Sequence, residues 1–366
     1  MNKKIKIIPI FVPHVGCPNN CVFCNQRRIT GQKNFTVDGE YVHKIVKRYI
    51  ETIDGNTNTE IAFFGGSFTA IDTKIQEELL KAAKHYKDLK IISSIRCSTR
   101  PDAINDEILK LQKKYGMDII ELGIQSLDDE VLKISNRGHN KKQSIEASRL
   151  IKEHGFILGH QIMPGLPGSS RKKDIKTCIE SIEMKPDIVR IYPTLVIKDT
   201  DLFDMYEKGF YKPLTLDEAV EISAHIYSLY TIKDINVIRI GLQNTESINE
   251  GGDVMAGPFH PAFRQLVEER IYYYALVSKF CKANTKEMRE SIVIHAPDNL
   301  ISCIAGQKKS NINKLKEKFS IKQISFKKRK DDIIEIYNNN NKRLFSFKKS
   351  EIFQNYLYMQ QGDLCI

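Results

Sequence analysis

The 366-residue chain contains no tryptophan, and no apolar run in it approaches the roughly 18–20 residues that a membrane-spanning helix needs. No membrane span is therefore expected. The start, MNKKIKIIPIFVPHVGC, is basic and then apolar, but Pro9, Pro13 and His14 interrupt it. No small-residue cleavage site follows, so it makes a poor secretory signal. The expected compartment is the cytoplasm, where thiols stay reduced. Paired cysteines are scarce as well. Cys97, Cys178, Cys281, Cys303 and Cys365 stand singly and read as small buried hydrophobes rather than as a disulfide framework. Acidic residues run short at one end only. Residues 306–349 carry fourteen Lys or Arg against four Asp or Glu, whereas the rest of the chain is nearly balanced, at 42 against 41. Such a concentration of charge suits a polyanionic partner. A Lys- and Asn-rich composition, seen again in the NNNN run at 338–341, is the plainer explanation.

What is present is a globular composition, 41% hydrophobic and 28% charged, in a chain long enough to bury a substantial core. From residue 5 to about 240, short β-type runs alternate with segments of helical apolar spacing, such as Asp72–Tyr86 and Lys141–His154. The strand candidates are Ile5–Phe11, Glu60–Phe64, Lys90–Ile95, Ile119–Gly123, Phe156–Ile162, Ile188–Ile191 and Asn236–Ile240. Turn punctuation follows several of them: GG at 65–66, RPD at 100–102, PGLPG at 164–168 and YPT at 192–194. The alternation predicts an α/β fold, a parallel sheet with crossover helices curled into a partial or full (β/α) barrel. Chemistry then belongs at the C-terminal ends of the strands.

The pattern changes near residue 285. Strands are predicted at Ser291–His295, Gln323–Lys327, Ile333–Tyr337 and Leu344–Phe347, with a short helix at Asn299–Ile304 and a basic one at about Asn311–Phe319. The expected organisation is a core with its extension over 1–285 and a small basic α+β domain over 286–366, a size within the normal domain range.

Three cysteines, Cys17, Cys21 and Cys24, crowd into CPNNCVFC directly after the first strand. Structural zinc wants four ligands, normally delivered as two pairs, and no second Cys/His pair lies nearby, although His14 is a possible fourth ligand. A catalytic zinc on three thiolates would be weakly acidic. A cubane cluster carries four irons, each usually on a thiolate; three thiolates leave one iron open to a small molecule.

The C-x3-C-x2-C spacing with Phe23 before the last cysteine resembles the signature of radical S-adenosylmethionine enzymes. The resemblance implies a [4Fe-4S] cluster on Cys17, Cys21 and Cys24, S-adenosylmethionine chelated at the open iron, and a low-potential electron donor. It also implies a radical SAM barrel. FFGGSF, with Gly65, Gly66 and Ser67, stands where the family brings bare backbone against the methionine amino group. ELGIQS and NRGH are similar to the coproporphyrinogen oxidase-like branch, which implies cofactor contacts from Gln125 and Arg137. Gln161, in QIMPGLPG, and Ser98, in CSTRPD, stand where acidic contacts are usual in that branch. STRPD, ELGIQS, NRGH, MPGLP and RIYPTLVIKDTDLFDMYEKGFYKPL together resemble the radical domain of the catalytic subunit of the Elongator complex, over about residues 8–245. That likeness implies transfer RNA as the substrate. The Elongator subunit has a wider gap between its first two cysteines and an acetyltransferase domain. No acetyltransferase-type pyrophosphate loop is visible in the last eighty residues here, so acetyl-CoA use is not expected.

Strand, short helix, G-x-x loop, helix and strand is also the order of a minimal KH module, whose Gly-x-x-Gly loop clamps a nucleotide backbone. IAGQKKSNINKL resembles that loop, with Lys309 at the second glycine. Gly306, Lys308, Lys309 and Lys314 are thus candidate nucleic-acid contacts; a basic domain that only packs on the core is the alternative. His260, Arg264 and Glu268, in AGPFHPAFRQLVEER, are candidates in a substrate-side loop and the helix after it, with a packed histidine and solvated helix charges as the plainer account. The leading expectation is a radical enzyme on RNA. The alternatives are a radical enzyme on a small molecule or porphyrin, and a cluster-bearing RNA-binding factor without turnover.

Overall fold

A computed structural model describes residues 5–12, 20–24, 37–51, 58–242, 249, 251–282 and 287–360. The described residues form two compact units, one running to Thr215 and joined by Ile235–Phe259, the other made of Leu216–Asp234 with the residues from His260 onward.

The first unit is a run of strand–helix repeats. Its chain order is β1 (Ile5–Phe11), α1 (Gly39–Ile50), β2 (Asn58–Phe64), α2 (Thr73–Asp88), β3 (Ser94–Thr99), α3 (Asp106–Lys114), β4 (Ile119–Gln125), α4 (Asp129–Ile134), α5 (Lys141–Glu153), β5 (Ile157–Ile162), α6 (Arg171–Glu183), β6 (Ile188–Ile191), β7 (Val196–Ile197), α7 (Asp201–Glu207), β8 (Asn236–Ile240) and β9 (Val254–Ala256). Seven strands form one sheet in the order β1-β2-β3-β4-β5-β6-β8, and every neighbouring pair is parallel. Order following sequence is what right-handed crossovers through helices produce, and it gives the curled partial barrel expected from the alternation. Side-chain caps start the helices: Asp38, Asp72, Asn105, Asp128, Asn140, Ser170 and Thr200 each accept a backbone N–H in the first turn.

The two faces of the sheet differ in chemistry. Ile61, Phe63, Ile95, Cys97, Ile120, Leu122 and Leu158 are fully buried apolar positions. His160 on the same face reaches Ser148 of α5 and Ser181 of α6, so this face carries the helices. The opposite, inner face holds charge. Glu121 accepts from Arg96 at 3.2 Å and from both ends of the Arg190 fork, and Arg96 also pairs with Glu60 at 2.6 Å. All four side chains are buried. Charges at such depth persist only when paired.

One strand is displaced from its expected place. Lys90–Ile95 is the predicted run, and β3 occupies Ser94–Thr99 instead. Leu89 caps α2 and Lys90 adopts a left-handed φ of 58°, so the apolar residues that follow belong to a turn. The true strand alternates Arg96 and Ser98 on the polar inner face, which hides it from a search for apolar runs.

The second unit contains α8 (Leu216–Thr231), α9 (Phe263–Cys281), β10 (Ser291–Pro297), α10 (Asp298–Ala305), α11 (Ser310–Phe319), β11 (Gln323–Arg329), β12 (Ile333–Asn338), β13 (Arg343–Lys348) and α12 (Glu351–Gln360). Its sheet has the order β11-β10-β12-β13, with β10 parallel to β11 and the other pairs antiparallel. Helices α8, α9 and α12 pack on one another, with Tyr227 edge-on to Phe353 and Tyr356 bonded to Glu221. Cys281 departs from the expectation for single cysteines, because it is disulfide-bonded. Cys365 lies outside the described residues.

Candidate functional site

The C-terminal ends of β2 to β5 surround a cavity lined by Asn20, Cys21, Phe23, Cys24, Gly66, Ser67, Ser98, Thr99, Arg100, Gly123, Gln125, Arg137 and Gln161. The place follows from the parallel sheet, whose strands all deliver their ends to one rim. Nine residues singled out from sequence meet here: Cys21, Cys24, Phe23, Gly66, Ser67, Ser98, Gln125, Arg137 and Gln161. Gly65 supplies the turn beside them with a φ of 104°. Cys17 and His14 lie outside the described residues.

The cysteine loop is fixed by backbone bonds to distant elements. Cys24 N–H donates to the Cys21 carbonyl at 3.0 Å, closing a tight turn around Val22 and Phe23. Val22 N–H donates to Ser135 O after α4, and Leu202 N–H of α7 donates to Val22 O at 2.7 Å. Val22 is buried against Val196, Leu202 and Tyr211, with Phe23, Phe203 and Met205 packed around them. The Asn136 side chain donates to Asn20 O at 2.7 Å.

Two guanidinium groups meet at one sulfur. Arg137 Nη1 lies 3.2 Å from Cys21 Sγ and Arg100 Nη1 lies 3.8 Å from it. Arg137 also donates to Gly123 O, and its guanidinium sits 5.9 Å from the Phe23 ring centroid. Next to it, His139 is buried, and burial together with the Arg137 charge holds its pKa down to about 3. Among the described residues lining the cavity, the cations are Arg100 and Arg137.

Gln125 ends β4 in a left-handed conformation, φ 62°, beyond a register shift in its pairing with β5. Non-glycine residues take that conformation at a cost and where the surroundings impose it. Gly123 makes room for it, since a Cβ there would stand 2.9 Å from Gln125 Nε2. Gln125 Oε1 and Arg137 Nε are buried without hydrogen-bond partners. Buried polar atoms of this kind mark places where a ligand completes the bonding. Gln161 donates to Ser98 Oγ at 3.2 Å, so the two positions where the family usually has acids bond to each other.

The donor set fits an iron–sulfur cluster with a polar ligand beside it. Two thiols share one turn, cations stand ready for an anionic group, and two of the lining residues, Gln125 and Arg137, each keep a buried polar atom without a partner. Arg100, Thr99, Asn20 and Gly123 also line the cavity but are not singled out from sequence. The available signal for Arg100 is its place: an arginine directly after a strand, with an acid two residues on across a proline.

The other candidates lie in the second unit. Gly306 has a φ of 75°, and Lys308 and Lys309 follow in left-handed conformations before α11. Lys309 therefore adopts the backbone that the glycine of a Gly-x-x-Gly loop would supply. Lys314 lies 5.7 Å from the Tyr273 ring centroid. Arg264 pairs with Glu268 at 2.9 Å and reaches Tyr227, while His260 accepts from Ala262 N–H before α9.

Residues 11–180 match the family described as Radical SAM superfamily, and residues 186–273 match the Radical_SAM C-terminal domain. The tRNA uridine(34) acetyltransferase of Methanocaldococcus jannaschii is 28% identical over 264 residues, 62% of this chain and 49% of that protein. An uncharacterised protein of the same organism is 32% identical over 232 residues, 60% of this chain and 70% of that protein. Among solved structures, the archaeal Elp3 of Methanocaldococcus infernus with an N-terminal deletion superposes with a TM-score of 0.58 at 23% identity, covering 74% of this chain and 63% of that one. The chain spans about half the length of the acetyltransferase it matches.

Proposed function

The chain belongs to the radical SAM superfamily and is an enzyme, and on that premise we propose that it is a cytoplasmic enzyme that reductively cleaves S-adenosylmethionine at a [4Fe-4S] cluster to modify transfer RNA. One observation carries the cofactor reading: the cavity at the strand ends gathers Cys21, Cys24, Gln125 and Arg137, the last two each with a buried polar atom left without a partner. Cys17, Cys21 and Cys24 would hold the cluster. Gly65, Gly66, Ser67, Gln125 and Arg137 would hold S-adenosylmethionine, with Ser98 and Gln161, hydrogen-bonded to each other, as further lining contacts. When bound, the two cofactors supply a carbon radical that abstracts hydrogen; an external low-potential donor supplies the electron. The chain's part is to orient and to shield. Arg137 offers a cation for a carboxylate, and Gly66 lets the main chain approach an amino group.

The RNA part rests on likeness to tRNA-modifying relatives and on the charge of residues 306–349. In this reading residues 286–366 are a KH-like module in which Gly306, Lys308, Lys309 and Lys314 meet phosphates. Anaerobic reconstitution should give protein with four irons and four sulfides that forms 5′-deoxyadenosine with dithionite. Cys21→Ala should lose cluster and cleavage and keep RNA retention; a full cluster in that variant would remove Cys21 from the ligand set. Nucleoside mass spectrometry of RNA from a strain without the protein should show one modified uridine missing. An unchanged nucleoside profile would point to a small-molecule substrate.

A further inference from the structure

We propose that Arg100 is a positioning residue for the cysteine loop and that its charge, opposed by Asp102, sets the reduction potential of the cluster held there. The proposal rests on the cluster-binding reading above. Arg100 precedes Pro101, which holds it extended at φ −93° and ψ 149° and starts the turn Pro101–Ala103 that brings Asp102 back beside it. The side chain is 5% exposed. Its Nε and Nη2 donate to the two oxygens of Asp102 at 2.9 and 3.0 Å. Nη2 also donates to the carbonyl of Arg137, and the Arg100 backbone N–H donates to Ser67 Oγ at 3.1 Å. The remaining arm, Nη1, faces Cys21 Sγ at 3.8 Å. One guanidinium thus ties the end of β3, the segment after α4 and the cysteine turn together. A buried, bidentate and fully oriented cation is a costly way to fill space, and Arg137 already places one cation on the same sulfur.

Reduction adds an electron to a ligand set that is already anionic. A cation and an N–H donor at a ligating sulfur favour the reduced state and raise the potential; a nearby carboxylate opposes them. The two members of the ion pair should therefore act with opposite sign. The test reconstitutes wild type, Arg100→Gln, Arg100→Lys and Asp102→Asn anaerobically without S-adenosylmethionine, counts iron and sulfide, and titrates the reduced-cluster EPR signal against potential. Arg100→Gln should shift the midpoint negative, Asp102→Asn should shift it positive, and Arg100→Lys should stay nearer wild type than the Gln variant does. Equal midpoints at full cluster content, or shifts of one sign in the Gln and Asn variants, would reduce the pair to packing. If Arg100→Gln cannot hold a cluster, Asp102→Asn decides: a positive shift upholds the opposition, and an unchanged or negative midpoint ends it. A wild type that takes up no cluster would overturn the cofactor reading itself, and the inference with it.

Discussion

Asp174 shows how a buried acid holds a loop at the end of a strand. Its carboxylate accepts from Gly165 N–H at 3.0 Å and from Ser169 at 2.6 Å, holding the PGLPG turn after β5. Burial raises its pKa to about 6 against those two bonds. An acid whose pKa rises on folding favours the folded state most when protonated, so its contribution is full below about pH 4 and is lost as pH climbs through 6. Asp174→Asn removes that titration. Between pH 4 and 7 the variant should gain on wild type by up to about 3 kcal/mol, read from urea denaturation at each pH. A constant difference across that range would mean that Asp174 titrates normally. The sequence points to the PGLPG turn but not to its support, because Asp174 sits at a helical position that reads as a solvated first-turn acid.

Among the elements, β4 and β5 show what a strand must give up to line a polar interior. Glu121 is locked by two arginines, and the neighbouring strand accommodates it with Gly159. A Cβ at that glycine would stand 2.8 Å from Glu121 Cγ and 3.2 Å from its Cα. Since Glu121 cannot yield without breaking its ion pairs, Gly159→Ala should cost about 1–3 kcal/mol, the usual range for overpacking. Thermal denaturation checks it; an unchanged midpoint would show that the strands move apart freely. The same polarity decides what is legible. Strands whose helix-facing residues dominate, such as Ile188–Ile191 and Asn236–Ile240, match their expected bounds to the residue. β3 is shifted because its inner face carries Arg96 and Ser98. Helix α12 has no counterpart among the expected elements, although Ser350 stands at its start where a cap belongs; its ten residues follow directly on a basic hairpin.

For the molecule as a whole, the cofactor motif is visible in the sequence because it is local: eight residues define the cysteine spacing. Gln125 and Arg137 become visible only through the family likeness; Arg100 lies within the STRPD motif of that likeness, but its role stays hidden because it depends on a partner 79 residues away in the chain. The charge excess at residues 306–349 belongs to the same scale. If Lys308 and Lys309 meet phosphates, changing both to Glu should weaken binding of transfer RNA and flatten the plot of log affinity against log salt by roughly one unit for each phosphate no longer neutralised. Filter binding across a salt series measures this. An unchanged slope would assign the excess to solubility instead. The archaeal Elp3 likeness shows the fold of the chain, and the RNA titration is what separates fold from substrate.

The anchoring of the cysteine turn has a consequence for biosynthesis. Cys21 and Val22 precede every partner that fixes them, since Val22 is tied to Ser135 and Leu202, and Cys21 faces Arg100 and Arg137. At about 5–20 residues per second, synthesis reaches Leu202 on the order of ten to forty seconds after Cys21. Until then the cysteines belong to an unfinished seat, open to oxidation or to stray metal. If the turn holds a cluster, its seat is complete only once the chain has passed β7 into α7, so delivery should follow synthesis of six of the seven sheet strands.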